Sequence, residues 1–413
     1  MNPDSNKFNY QCTDCGQVFN DTELRYLCPD CSRNQNPEEP PKGVLKVRYH
    51  YNEIKKKHTT FKSLKNSEFL DLYPVENLDS FPPLHVGQTP LYKKTELDAK
   101  NLGSELYLKD DSQNPTYSFK DRASILVAAF AKERNFDVII TASTGNAGSS
   151  LAGICASSGQ KAIVLVPEKA PIAKLTQIIM YGAKIVPVKG TYDDAFDLSV
   201  EATRKFGWYN RNTAFNPLTI EGKKSASFEL FDQMNEQIPD KIFVPVGDGV
   251  ILSGIYKGFE DLLELGFTDK MPVVVAVQSS GSNNLINNVY SENLQFKPGN
   301  TIADSISVDI PRNFFMAKQF LLKYHGEVLS VDDKAILTAS KKLSENTGLF
   351  SEPAAATAFA GYLDYLKNNR LTPGSKNVVL LTGSGLKDLN AVQQIISIPD
   401  AIHNLAELQK LIL

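Results

Sequence analysis

Lys120 stands in the run Asn114-Pro115-Thr116-Tyr117-Ser118-Phe119-Lys120-Asp121-Arg122, among turn-forming and apolar residues just ahead of a helix. Desolvation and neighbouring cationic charge lower a lysine's pKa and expose the free amine, the form that condenses with a carbonyl. Taken alone, a surface lysine in a charged triplet is the commoner reading. Three glycine-rich turns shift the balance. Ser143-Thr144-Gly145-Asn146-Ala147-Gly148 directly follows the apolar run Val138–Ala142 and opens a helix, whose first N–H groups are free for a carboxylate or phosphate. Gly247-Asp248-Gly249-Val250-Ile251 follows Phe243–Val246 and precedes a helix expected around Gly254–Leu265. Such a turn is an anion cradle. It has neither the G-x-G-x-x-G spacing of a dinucleotide site nor the Gly-Lys-Ser/Thr of a Walker loop. Thr382-Gly383-Ser384-Gly385-Leu386-Lys387-Asp388 follows the last strong strand, and the Thr382 hydroxyl is suited to bond a ring nitrogen without charging it.

A second chemistry sits near the N-terminus. Cys12-x-x-Cys15 and Cys28-x-x-Cys31 are separated by twelve residues. Each pair can turn a knuckle and present two thiolates to one tetrahedral Zn²⁺. Four protein ligands close the shell, so this zinc is expected to be structural. Cys155 lies in an Ala/Gly/Ile stretch and reads as a small buried side chain.

The elements that must position these groups have a parallel-sheet texture. Val138–Ile140, Ala162–Val166, Ile185–Val188, Lys241–Val244, Val273–Val277 and Asn377–Leu381 are continuous apolar runs separated by helical stretches. Such runs indicate strands buried on both faces, and ligands of such sheets gather at the strands' C-terminal edge. The polar stretch Asn34 to Lys42 reads as a linker, and Lys55-Lys56-Lys57-His58 as a solvated helix face. The 413 residues are 42% hydrophobic and 22% charged, the balance of a globular protein with a large core. Forty-four Lys plus Arg against 47 Asp plus Glu give a net charge of −3, which makes no case for nucleic acid. No apolar run approaches the ~20 residues of a membrane span. The start, Met1 to Lys7, lacks the apolar core of a signal peptide, so a cytoplasmic location is expected.

Residues from about 87 to 395 resemble the threonine synthase branch of the fold-type II pyridoxal phosphate enzymes. The resemblance is carried by Gly87-Gln88-Thr89-Pro90-Leu91, Ser118-Phe119-Lys120-Asp121-Arg122, Ser143-Thr144-Gly145-Asn146, Glu352-Pro353-Ala354 and Gly383-Ser384-Gly385-Leu386-Lys387-Asp388. Several members also bear an N-terminal zinc ribbon. The resemblance implies a two-lobed open α/β fold with mostly parallel sheets plus a small zinc ribbon. The expected division is zinc ribbon and linker over 1–45 and an N-terminal extension over 46–90. The catalytic region would be 91–413, its smaller lobe about 123–212. Lys120 would carry pyridoxal phosphate and shuttle protons, and Asn146 would bond the cofactor's phenolic oxygen. Gly247 to Ile251 would cup its phosphate, Thr382 would face the ring nitrogen, and Glu352 would lie beside the ring. Ser143, Thr144, Gly145 and Asn146 would hold the carboxylate of a small amino-acid substrate. A homodimer is the family expectation.

Departures from the family pattern cluster where a substrate would lie. Tyr117 replaces a glycine, Ala147 a threonine, and Asp248 enters the phosphate loop. In Asn216-Pro217-Leu218-Thr219-Ile220-Glu221-Gly222-Lys223, Thr219 stands where the family has the arginine that grips the phosphate of O-phosphohomoserine. A hydroxyl cannot replace a guanidinium's two parallel bonds, although Lys223 offers a positive point charge to the substrate. The expected activity is a lyase that makes threonine from O-phosphohomoserine. The alternative is a serine/threonine ammonia-lyase or β-replacement enzyme of the same fold, acting on a non-phosphorylated amino acid.

Overall fold

The computed structural model describes residues 7–36 and 38–412. The polar start, residues 1–6, lies outside them. A three-stranded antiparallel sheet holds the cysteine segment: β1 (Phe8–Cys12), β2 (Val18–Asn20) and β3 (Leu45–Tyr49), in the order β2-β1-β3. Next come β4 (Leu91–Leu97) and β5 (Lys100–Asp110), an antiparallel pair. A four-stranded parallel sheet follows, built from β6 (Val138–Ala142), β7 (Lys161–Pro167), β8 (Lys184–Val188) and β9 (Tyr209–Asn210) in the order β8-β7-β6-β9. The remaining strands are β10 (Lys241–Pro245), β11 (Val273–Ser279), β12 (Glu327–Val331) and β13 (Lys376–Leu381). With β4 and β5 they form a six-stranded sheet of order β12-β11-β10-β13-β5-β4, in which only β4 runs antiparallel.

All six apolar runs read as strands are strands, and helices cover both sheets, giving the expected open α/β fold. Cys155 is buried in the helix Asn146–Ser158. Lys55, Lys56 and Lys57 are exposed on a short helix, whereas His58 is buried against Ser63 and Asp71. Among the described residues no helix is long and apolar enough to cross a membrane.

Three helices meet with almost no side chain between them. Gly222, in the helix Leu218–Lys223, rests on the helix Lys120–Glu133: a Cβ there would overlap the Arg122 carbonyl and stand 2.8 Å from Ala123 Cα. Gly254, in the helix Val250–Leu265, approaches Lys223 so that its Cβ would lie 2.7 Å from that of Lys223. Small residues at both contacts bring the start of one helix, the end of another and the N-terminus of the third to one place.

Beneath this junction is a buried charge cluster. Lys224 pairs with Glu221 (2.6 Å) and Asp261 (2.7 Å), and Lys257 with Asp261. Tyr49 and Tyr51 donate to Glu221 (2.7 Å) and Asp261 (2.5 Å). The segment after the ribbon is thus tied to the helices that carry the cleft. The Gly222→Ala protein should lose about 3 kcal/mol of stability, because the contact is backbone on backbone and cannot relax by a rotamer change. A urea midpoint equal to that of the parent would show that these helices have room to spare.

Candidate active site

The lysine loop is fastened to the end of β13. Phe119 N–H donates to the Thr382 carbonyl (2.8 Å) and Ser384 N–H to that of Tyr117 (3.1 Å), while Ser118 and Gly383 form a bridge. Asp121 caps the preceding turn, accepting from the Thr116 N–H (2.7 Å) and hydroxyl (2.5 Å). Arg122 is fully buried between Asp111 and Glu229, and Glu229 also accepts from Lys109 (2.7 Å). Gly87 belongs to the same knot: its N–H bonds Asn114, and a Cβ would lie 2.6 Å from Glu229 Oε1. In Ser118-Phe119-Lys120-Asp121-Arg122, then, Asp121 and Arg122 are engaged in the scaffold, whereas among the described residues Lys120 forms no ion pair. Tyr117 is half-exposed with φ +67°, a left-handed conformation that accounts for the family's glycine at this place.

The opposing walls come from both sheets. Ser143, Thr144 and Gly145 are partly open at the N-terminus of the helix Asn146–Ser158, with Ala147 in its first turn. Asn146 is buried, and its amide donates to both oxygens of Glu352, at 3.0 Å each. Burial raises the Glu352 pKa, and the Asn146 bond and Lys120 oppose that shift. Glu352 also precedes the helix Pro353–Lys367 but caps none of its amides. Its carboxylate lies so close over Gly383 that any side chain there would collide. Thr382 is buried at the end of β13, and the buried Ser118 hydroxyl has no partner among the described residues.

The turn after β10 differs from expectation in one respect. The helix begins at Val250, not near Gly254, because Gly249 (φ +87°) turns the chain directly into it. Val250 and Ile251 are therefore first-turn residues, whose amides have no intrahelical carbonyl to bond. Asp248 Oδ1 accepts the Arg312 N–H at 3.1 Å, and its charge still acts on Lys120 and Lys223.

The cations of the cleft set it apart. Lys109, Arg122, Lys224 and Lys257 are fully buried, and each contacts a carboxylate. Arg211 and Lys223 are as deeply buried (0% and 1% exposed), yet among the described residues neither has a carboxylate partner. The Arg211 guanidinium donates to the Ser124 hydroxyl (3.1 Å), the Thr213 hydroxyl (3.1 Å) and the Lys120 carbonyl (3.4 Å). Lys223 Nζ reaches only the Thr219 carbonyl, at 3.2 Å. Burial, with Arg211 and Lys120 alongside, holds the Lys223 amine well below the ordinary lysine value, against the pull of Asp248. Burial and Arg211 also lower Lys120, against the pull of Glu352 and Asp248. Burial draws Arg211 down to about 10, so it stays charged at neutral pH. Thr219 is no substitute for an arginine, since its hydroxyl is taken up by the Asn216 carbonyl (2.8 Å).

Sequence reasoning missed Arg211 and gave Lys387 no role. Lys387 reaches from the β13 turn to the Thr116 carbonyl (3.0 Å), the Ser149 hydroxyl (2.9 Å) and Gln177 (2.7 Å), tying the two sheets' loops together. The available signal for Arg211 was an arginine just past a short strand within the Asn-rich run Asn210-Arg211-Asn212.

Away from the cleft, the ligand sulfurs of Cys12, Cys15, Cys28 and Cys31 all lie within 4.8 Å of one another. Both knuckles close alike, Gly16 N–H on the Cys12 carbonyl and Ser32 N–H on that of Cys28, each 3.0 Å. Four sulfurs at ~2.3 Å from one ion would stand roughly 4 Å apart, so the cluster has the dimensions to hold a metal.

Residues 83–383 match the family described as pyridoxal-phosphate dependent enzyme, and the chain belongs to that family. Within it, the chain is similar to the threonine synthase of Methanocaldococcus jannaschii, with 35% identity over 92% of this chain and 93% of that protein. The threonine synthase of Methanosarcina acetivorans is 32% identical over 96% of each. Among solved structures, maize serine racemase superposes with a TM-score of 0.65 at 24% identity (76% of this chain, 92% of that one). A tomato threonine deaminase does so with 0.65 at 21% (75% and 88%), a likeness that speaks for the fold alone.

Two outcomes follow for stability. Tyr117→Gly should be neutral or stabilising by up to ~1 kcal/mol, and Tyr117→Val should cost about 1–2 kcal/mol, since a β-branched residue tolerates left-handed φ poorly. Equal urea midpoints for the two would disprove the strain. In cofactor-free protein Lys223→Met should add about 1–3 kcal/mol, because a buried amine without a contacting carboxylate is removed. The folded pKa of Lys223 is depressed, so the penalty is complete below that value and fades as pH rises toward the ordinary lysine range. The advantage of the Lys223→Met protein over the parent should shrink accordingly in alkaline buffer, as read from unfolding curves at several pH values.

Proposed function

We propose that this chain is a threonine synthase that converts O-phosphohomoserine and water to threonine and phosphate. The carrying observation is the pair of fully buried, carboxylate-free cations, Arg211 and Lys223, beside Lys120. Every other fully buried basic side chain named above touches a carboxylate, whereas these two do not, so an anion from outside would complete them. A non-phosphorylated serine or threonine would leave them uncompensated, which disfavours the ammonia-lyase reading. The arginine missing at Thr219 is made good from a different strand end.

The donor set also fits pyridoxal phosphate. The Gly247–Ile251 amides form a cradle for its phosphate, the orphaned Ser118 hydroxyl and Thr382 stand at the β13 end for the ring, and Lys120 carries the amine that bonds its aldehyde. Asn146 has two amide hydrogens, so it can serve the cofactor's phenolic oxygen while bonding Glu352. Bound pyridoxal phosphate supplies the electron sink that acidifies hydrogens next to the substrate's amino-bearing carbon. Ser143 to Asn146 hold the substrate carboxylate at a helix N-terminus and orient Cα toward Lys120. Lys120 Nζ, kept from full protonation by burial and by Arg211, would take the Cα proton and then a Cβ proton, whose removal allows phosphate to leave from Cγ, and would return protons to Cγ and to Cα. Arg211 and Lys223 grip the phosphate and stabilise its charge as it departs, after which water adds at Cβ. At the N-terminus Cys12, Cys15, Cys28 and Cys31 would hold a structural Zn²⁺ with no position open for water.

Arg211→Gln should raise KM for O-phosphohomoserine by about 100-fold, the loss of one charge-assisted phosphate contact of roughly 3 kcal/mol, and leave the cofactor's visible absorbance band in place. Unchanged KM, or keto-acid release from serine or threonine at rates that outpace phosphate release from O-phosphohomoserine, would refute the assignment.

A further inference from the structure

The cysteine ribbon is in contact with the turn that delivers Arg211. Among the described residues β9 is an edge strand, paired only with β6. The Arg211 N–H points inward, to the Ile140 carbonyl at 2.8 Å, so that of Asn210 faces the open edge. Its partner is a ribbon side chain: the Tyr26 hydroxyl accepts the Asn210 N–H at 2.8 Å. The Tyr26 ring lies flat on Phe215, with centroids 4.6 Å apart at 16°, and also meets Tyr209. Tyr26 thereby touches the turn on both sides of Arg211.

The turn itself is closed by asparagines. Asn216 Nδ2 donates to the Asn210 carbonyl and Asn212 N–H to Asn210 Oδ1, both 2.7 Å. Asn212 Oδ1 accepts the Ala142 N–H at 2.8 Å, immediately before Ser143. The turn is rigid within itself, and its outer edge is held by Tyr26. Tyr26 in turn is two residues from Cys28, whose N–H bonds the Gly43 carbonyl (2.8 Å) and whose knuckle is closed by Ser32. Order in the knuckle is transmitted to Tyr26 within two residues of chain.

We propose that Tyr26 is a positioning residue for substrate phosphate: the ribbon braces the Asn210–Asn216 turn and so sets where Arg211 presents its guanidinium. This rests on the reading of Arg211 as the phosphate clamp. It makes the cysteine cluster a determinant of substrate affinity while leaving the cofactor pocket untouched, since Lys120, Thr382 and the Gly247 turn make no contact with Tyr26.

The test uses the full-length holoenzyme. Tyr26→Phe keeps the ring stack and removes the acceptor; Tyr26→Leu removes both. Losing the acceptor of a buried N–H should raise KM for O-phosphohomoserine about tenfold in Tyr26→Phe and more in Tyr26→Leu. In both, the cofactor band should be unchanged and any fall in kcat should be smaller than the rise in KM, because only the phosphate contact is loosened. Hydrogen exchange should quicken at the 209–216 turn in both variants, and likewise in parent protein stripped of metal by a chelator. In an Arg211→Gln background Tyr26→Phe should add no further increase, since both act on one contact. An unchanged KM in Tyr26→Phe, or parallel loss of KM, kcat and cofactor band, overturns the brace. Unchanged KM in Arg211→Gln alone overturns the phosphate clamp instead, so the two failures are separable.

Discussion

The contact of Gly222 with the backbone at Arg122 and Ala123 governs the geometry of the cleft. Helices normally pack 8–10 Å apart because side chains intervene. Here a glycine removes that spacer, and the helix bearing Lys223 lies directly on the helix that starts at Lys120. Gly254 repeats the device one helix further on, bringing the Gly247 turn to the same point. Three elements far apart in sequence are registered by contacts of main-chain and Cβ atoms, which no rotamer change can relax. The buried set of Lys224, Lys257, Glu221 and Asp261 then locks the far side of the junction.

Two uses of buried charge stand side by side. Arg122 with Asp111 and Glu229, and Lys224 with Glu221 and Asp261, are balanced internally and act as scaffold. Arg211 and Lys223 are left unbalanced next to Lys120. Internal neutralisation gives structure and removes reactivity; an uncompensated cation costs stability and holds that energy ready for an anionic ligand. Built from the same residue types, the two groups differ only in what the chain sets opposite them.

Much of this was legible in the sequence, for physical reasons. Strands such as Val273–Ser279 are buried on both faces, so their apolar runs are continuous, and glycine-rich turns after them are constrained by chain direction. The four cysteines are legible because a metal shell fixes their spacing. β9 was not, since two residues carry no periodicity, and with it went Arg211, whose role depends on the strand that aims it. The helix start at Val250 turned on the φ of Gly249, which composition does not encode. The Asp248 bond to the Arg312 amide and the Asn146–Glu352 pair span 64 and 206 positions, beyond the reach of local pattern. Tyr117 could be flagged as an oddity, but its left-handed backbone explains why glycine is the ordinary occupant.

The unpaired cations have a consequence for the life of the chain. A fold that keeps two uncompensated charges inside is a weaker fold when empty, and anions that bind only the native state strengthen it by mass action. On the proposed reading the phosphate-bearing substrate is then a folding ligand as well as a reactant. Chains without it should open more often and meet proteases sooner, so its supply would set how much of the protein persists as well as how much of it works.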